Sequence, residues 1–530
     1  MLISLFTNGD FATGWLIASR GADGTEVSYT RRNGGSVASI TSAAGTTSYA
    51  FDAAGRKTHV ASPSGSFDFG YCEWNGKLAA VTNAGGFVVE YAYDIMDRVT
   101  NISWQTASGA TLGGFEYEYD AVGRIVSRSH AIGSNAFDRA YAYDDLDRLA
   151  SDGGVTYTYD AAGNRTTRTE SGSTVTYTLG VGDRLASWTG GSYTYDVAGN
   201  VTRIEHDGRP TLDLTWNSQY QLVSVSTNGV FAEGYEYDAL GRRVATMTQE
   251  GTTRHVYDDN WQVIADIDED DNVVASYVWG KGIDNLLAVK VGGESYYPLT
   301  DIQGTVWGYV DSQNNVVARW QYNAWGNVVD EFVTVPVLAN IRYRFQCREW
   351  SAATGLINFR MRWYDPETGR WLSKDPIGLS GGLNLYSFCF NMTLDRIDPS
   401  GCDDYVPDNA KHGGSHVDRY HGGKNVGRYN EDGTGIKSKG KLPPKIPRSE
   451  WPKFQAAASK LRCGMGLVSW IPGIFEDIKM HKKAKENGRS FSEQVEEEYK
   501  EYEFLITPIG IIPNPYYRPP NMDAEGRLTI

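Results

Sequence analysis

Four residues late in the chain have the types and spacing for acid–base chemistry: His412, His416, Asp418 and His421. They lie in the stretch Lys411-His-Gly-Gly-Ser-His416-Val-Asp418-Arg419-Tyr420-His421. A histidine can take up or give a proton near neutral pH, and a nearby carboxylate can assist it. Lys411, Arg419, Lys424, Arg428, Lys437, Lys439 and Lys441 are interleaved here with tyrosine and glycine, a footprint for polyanions. Between residues 411 and 462 there are 12 basic and four acidic side chains, a local net of +8. The chemistry this composition suggests is cleavage of an RNA or DNA strand. His412 and His416 are spaced like metal ligands, but Gly413 and Gly414 between them argue for a loop and against a zinc helix. No metal and no cofactor is expected. The plainer reading is a cationic surface loop with solvated histidines.

The elements that would position these residues are partly legible. Pro443, Pro444 and Pro447 break the chain. Trp451, Phe454, Ala458 and Leu461 then recur at helical spacing and predict an amphipathic helix over 450–462. Residues 464–480 are mainly apolar, but Glu476, Asp477 and the short length suit a buried or interfacial segment. Residues 490–503 read as an acidic helix starting near Ser492, and 504–517 as an apolar, proline-broken segment packing back on the domain. Residues 403–530 are therefore expected to form a small α+β or mainly α domain.

Charge divides the chain at the same place. Residues 403–530 carry 20 basic and 18 acidic side chains, net +2, whereas residues 1–402 carry 30 and 47, net −17. The cysteines (Cys72, Cys347, Cys389, Cys402 and Cys463) are odd in number and have no CxxC spacing, so neither a disulfide framework nor a zinc site is signalled. Residues 1–6 are apolar but too short for a signal-peptide core, and no run of about 20 apolar residues exists. The expectation is a protein secreted or exported by a non-classical route.

Before residue 403 the chain repeats itself. The phrase aromatic-x-Tyr/Phe-Asp, usually followed by x-x-Gly and then Arg or Asn, appears as Tyr49-Ala-Phe-Asp52-Ala-Ala-Gly55-Arg56 and as Tyr117-Glu-Tyr-Asp120-Ala-Val-Gly123-Arg124. Tyr91-Ala-Tyr-Asp94 and Tyr141-Ala-Tyr-Asp144 carry Asp97 and Asp147 in place of the glycine, and further copies end at Asp160, Asp196, Asp238 and Asp258. Tyr-x-Tyr puts two rings on one face of a strand. Asp-x-x-Gly makes a tight turn, because aspartate bonds the backbone two residues on and glycine supplies a positive φ. Spacings of 20 or 21 residues between Asp196, Asn217, Asp238 and Asp258 fit a hairpin that buries its aromatic stripe only by stacking on its neighbours. The fold class is mainly β, a long coiled antiparallel sheet of hairpin repeats. A compact antiparallel sandwich is the competing architecture.

At this point the sequence resembles the RHS or YD-repeat family. The resemblance is densest in Arg342-Tyr-Arg-Phe-Gln346, Arg362-Trp-Tyr-Asp365-Pro-Glu-Thr-Gly369-Arg370-Trp-Leu-Ser373, Asp375-Pro-Ile-Gly378 and Asp398-Pro-Ser-Gly401, and it extends over residues 49–401. It implies a spiral β-cage enclosing a variable C-terminal cargo, in bacterial members usually a toxin. The domains expected are an N-terminal β segment (1–40), a repeat shell (41–340), a core-associated domain (341–402) and the variable tail (403–530). Tyr364, Trp371, Tyr386 and Phe388 are read as packing.

The resemblance also implies self-cleavage just beyond the second Asp-Pro-x-Gly, here after Cys402. Two carboxyls held together suit amide hydrolysis, since one can keep a proton and act as the acid while the other acts as the base. Asp375 and Asp398 would fill those roles, with Arg370 neutralising the charged partner. The sequence departs from the family pattern at Cys402, where leucine is usual, and at Thr393, where proline is common. The function expected is a shell that encloses and delivers a C-terminal toxin, a nuclease. The alternatives are a membrane-acting tail and an adhesive or structural shell without enzyme activity. The partners expected are the enclosed tail, a cognate immunity protein and nucleic acid.

Overall fold

The computed structural model describes residues 9–10, 15–21 and 23–402, together with strands His416–His421, Lys424–Asn430, Phe504–Thr507 and Gly510–Pro513. From Ala18–Arg20 to Val328–Val333 every strand pairs antiparallel with the strand before and after it. The pairing passes through residue 40 without a break: Val37–Ser42 pairs with Glu26–Arg31 on one side and Gly45–Phe51 on the other. This is the coiled antiparallel sheet that the repeat spacing predicts.

One repeat shows why the phrase is written as it is. In strand Thr111–Tyr119 the burial alternates, with Phe115 and Tyr117 inward and Glu116 and Glu118 outward. A bulge at Tyr119 ends the ladder with Ile125–Ile132. Asp120 then closes the turn: its Oδ1 accepts the N–H groups of Val122 (3.0 Å) and Arg124 (2.9 Å), and its Oδ2 accepts Arg124 Nε (2.6 Å). Gly123 has φ +92°, and where aspartate replaces the glycine, Asp97 and Asp147 adopt φ +63° and +64°. The Arg124 guanidinium lies 4.7 Å from the Tyr143 ring centroid of the next repeat, whose hydroxyl donates to Ile125 O at 2.7 Å. Arg98 on Tyr119 and Arg148 on Tyr159 repeat the arrangement. Each turn thus fastens one hairpin to the next.

Burial alone would raise the Asp120 carboxyl, but the Arg124 and Val122 contacts outweigh it and hold it below the usual carboxylate range. Replacing Asp120 with alanine leaves two backbone N–H groups without their acceptor and Arg124 with only its Asp147 contact among the carboxylates. The expected cost is roughly 1–3 kcal/mol in denaturant unfolding. Because the folded-state value is depressed, this contribution is present at neutral pH and drains away below about pH 4.

The coiled sheet is covered on its inward face by its own chain. Aromatic residues of the early strands meet the late strands: Phe67 and Phe87 on Tyr297 (6.0 and 6.2 Å between centroids), Phe115 on Trp307 (5.5 Å) and Tyr157 on Trp325 (5.8 Å). Arg31 pairs with Asp259 at 2.6 Å and Ser64 bonds Ser276 at 2.7 Å across the same contact. The inner face of this stretch is therefore a packed aromatic layer.

Residues 341–402 complete the core. Strands Glu349–Trp350, Ile357–Phe359, Arg362–Asp365 and Arg370–Trp371 form a small antiparallel sheet. Phe345, Phe359, Tyr364, Trp371 and Phe388 pack together beside it. Leu356, Trp363 and Leu372 pack against Leu185, Ile204 and Tyr235 of the repeats. Tyr364, Trp371, Tyr386 and Phe388 are all buried, as packing residues should be.

In the tail, His416–His421 pairs with Lys424–Asn430, so residues 416–421 are a strand where a loop was expected. Gly413 and Gly414, the signal for that loop, lie outside the described residues, and the strand starts two residues later. The chain divides into two compact units, residues 1–464 and 465–530. The second unit has one hairpin among its described residues, Phe504–Thr507 with Gly510–Pro513. The helices expected over 450–462 and 490–503 lie outside the described residues.

Candidate self-processing site

Two turns and one strand build the site. Asp375 opens a turn after strand Arg370–Trp371, its Oδ1 accepting Ile377 N–H at 2.9 Å. Asp398 opens the second turn, where its Oδ1 accepts Cys402 N–H at 3.0 Å and the Ser400 hydroxyl at 3.3 Å. Arg362, at the start of strand Arg362–Asp365, joins them. Its Nη2 lies 3.1 Å from Asp375 Oδ2 and 3.2 Å from Asp398 Oδ2. The same guanidinium donates from Nε to Gly401 O and stacks on Trp371, 4.0 Å from the ring centroid. Arg362, Asp375 and Asp398 are all buried. Charges taken from water this far persist only when paired and hydrogen-bonded.

The two aspartates that the sequence singles out are therefore brought onto one guanidinium nitrogen. The arginine assigned to them is a different one. Arg370 donates to Asn164 Oδ1 at 3.0 Å and to Asp183 O, tying the core segment to the turns of the repeats. Arg362 takes the place expected for Arg370.

A second set of side chains grips the chain just before the junction with the tail. Arg348 Nη1 donates to Pro399 O at 3.1 Å, and Arg360 Nη1 donates to the same oxygen. Both arginines also bond Asp284 Oδ1, at 2.5 and 2.8 Å. Gln303 Nε2 donates to Thr393 O (2.7 Å) and Arg396 O (3.0 Å), and Gln346 Nε2 to Arg396 O (3.1 Å). Asp284, Asp375 and Asp398 thus face Arg348, Arg360 and Arg362 in the interior. Sequence reasoning missed Gln303, Asp284 and all three arginines. The available signal was the crowding of Arg342, Arg344, Arg348, Arg360, Arg362 and Arg370 into an aromatic segment, where four of the six are buried and Arg342 and Arg360 half-buried.

In the tail, His416, Asp418, Arg419 and His421 share one strand, and Lys424 and Arg428 lie on its partner, with Asp418 opposite Arg428 and His421 opposite Lys424. Lys411, His412, Lys437, Lys439 and Lys441 lie outside the described residues. Elsewhere, Ser66 Oγ, His59 and Asp68 form a hydrogen-bonded chain of 3.1 and 2.7 Å across two strands. Asp68 is largely exposed, so that chain reads as surface pairing. Among the described residues, no helix is long and apolar enough to cross a membrane.

The teneurin YD-shell family matches residues 105–391, more than half of the chain. The chain belongs to the YD-shell family. The chain is 30% identical over 372 residues to the tRNA3(Ser)-specific nuclease WapA of Bacillus spizizenii, covering 67% of this chain and 16% of that protein. It is 28% identical over 223 residues to the double-stranded DNA deaminase toxin A of Burkholderia cenocepacia, covering 36% of this chain and 15% of that one. Among solved structures, the TcdB2-TccC3-Cdc42 crystal structure superposes with a TM-score of 0.63 at 19% identity, over 75% of this chain and 24% of that chain. That likeness shows the fold. The chain spans about a sixth of the length of these curated relatives.

Proposed function

We propose that the YD shell carries and delivers a toxin, residues 403–530, which it frees by cutting its own chain next to Cys402. The observation that supports this best is the junction. A buried arginine shared by two aspartates lies against the last described residues of the shell, where the charge balance of the sequence reverses. Two relatives named for unlike chemistry, a tRNA nuclease and a DNA deaminase, are similar to this chain over stretches longer than its tail. The repeats are thus compatible with different activities, and the activity of this protein is assigned to the tail.

The tail acts on nucleic acid in this reading. Its basic stretch supplies the affinity, and His412, His416 or His421 assists strand cleavage. A shell of net −17 complements a local +8 in its cargo, and an acidic immunity protein would cap the same surface. Inducing residues 403–530 in bacteria should arrest growth with loss of RNA or DNA, and His416→Ala should relieve the arrest. Full toxicity in all three single histidine variants removes the catalytic assignment. Depolarisation with intact nucleic acid favours a membrane-acting tail.

A further inference from the structure

Two contacts of the site converge on the peptide bond between Gly401 and Cys402. Arg362 Nε donates to the carbonyl oxygen of that bond, and Asp398 Oδ1 accepts its N–H at 3.0 Å. One end is thereby polarised by a buried cation, and the other lies against a carboxyl that can pass it a proton. The residue that supplies the nitrogen is the cysteine standing where the family pattern has leucine.

We propose that the scissile bond is Gly401–Cys402 and that the Cys402 thiol is the nucleophile. This rests on the self-cleavage reading above and changes its chemistry and its position by one residue. Sγ attacks the Gly401 carbonyl carbon, forming a C–S bond and placing negative charge on the oxygen that Arg362 holds. The C–N bond then breaks. The thiol proton passes through the Asp398 carboxyl to the departing nitrogen, so Gly401 is left as a thioester on Cys402. Water adds to the thioester, the C–S bond breaks and the thiol is restored. The products are a shell ending in the Gly401 carboxylate and a tail beginning with Cys402. Water is the one added reactant, and no oxidant or reductant is required.

The local backbone suits this route. Gly401 has φ +73°, and a Cβ there would lie 2.5 Å from Phe359 O and 2.9 Å from Arg362 N, so only glycine fits so close to the arginine strand. Asp375 shares the Arg362 Nη2 contact with Asp398 and so acts as a positioning residue for the guanidinium.

The test uses the full chain, with the exact masses of both products and the first residue of the released tail. A tail beginning with Cys402 is expected, with cleavage slowed at least 100-fold in Cys402→Ala. Hydroxylamine at neutral pH should trap the thioester, leaving the shell with a Gly401 hydroxamate. Cys402→Leu, which supplies the side chain usual in the family, should fold and stay uncut at Gly401. A tail beginning with Asp403, or wild-type rates in both variants, overturns the thiol route while leaving self-cleavage by the aspartates standing. A chain that never cuts overturns both.

Discussion

Replacing Arg362 with methionine should lower the stability of the shell by about 3–5 kcal/mol, among the largest effects of any single substitution. Arg362 is 3% exposed and bridges Asp375 and Asp398, which are 8% and 0% exposed. Methionine fills much of the volume and keeps the contact with Trp371, so lost packing is a minor part of the change. The cost comes from two buried carboxylates whose shared counter-charge is gone. Adding Asp375→Asn and Asp398→Asn should therefore restore much of the loss, a strongly non-additive result in denaturant unfolding. An Arg362→Met protein that unfolds at the wild-type midpoint would show that the cluster carries no such load. Arg362→Lys separates folding from processing. It keeps the charge, but an ammonium cannot present one nitrogen to two carboxylates and another to Gly401 O. That variant should fold and process at least tenfold more slowly on a denaturing gel.

Much of the fold was legible because its cause is local. Tyr117-x-Tyr119-Asp120 sets the strand face and the turn within a few residues, and Arg124 reaches no further than Tyr143 and Asp147 of the adjacent repeat. The packed aromatic layer was not legible. Phe115 meets Trp307 and Tyr157 meets Trp325 across well over a hundred residues, and nothing in either strand announces its partner. The site shows the same division. Asp375 and Asp398 were recognisable from their Asp-Pro-x-Gly turns. The choice between Arg362 and Arg370 depends on which strand of the small sheet faces the two turns and which faces Asn164, a matter of tertiary placement. The histidine strand was not legible for a third reason: Gly413-Gly414 is a strong loop signal, and residues 416–421, His-Val-Asp-Arg-Tyr-His, carry no clean alternation that would announce a strand.

The second large effect is pH-dependent and turns on His130, in strand Ile125–Ile132 and opposite Phe137 of strand Asn135–Tyr143. Its ring stacks between Phe115 and Phe137, at 5.2 Å from each, and lies 4.6 Å from Trp307. His130 is 5% exposed, and its Nδ1 is buried without a hydrogen-bond partner. Burial, followed by the nearby Arg128, Arg139 and Arg319 charges, pushes its pKa down to about 3 from 6.5. The folded protein thus holds a neutral ring at pH values where the unfolded chain would protonate it. With the folded value depressed, stability falls as the pH drops below about 6.5 and levels off near 3. At pH 5 the unfolded state gains about 2 kcal/mol from this one proton, and at pH 8 almost nothing. His130→Phe removes both the titration and the unpaired nitrogen and leaves an aromatic ring among aromatic rings. The variant should therefore gain about 2 kcal/mol more stability over wild type at pH 5 than at pH 8. Comparing the two proteins at each pH cancels the other titrating groups, including Asp258, whose carboxyl burial raises to about 7 and whose effect on stability has the opposite sign. Equal differences at the two pH values would mean that His130 is solvated or charged in the folded shell. The aromatic contact between the early and late strands would then be looser than the packing distances indicate.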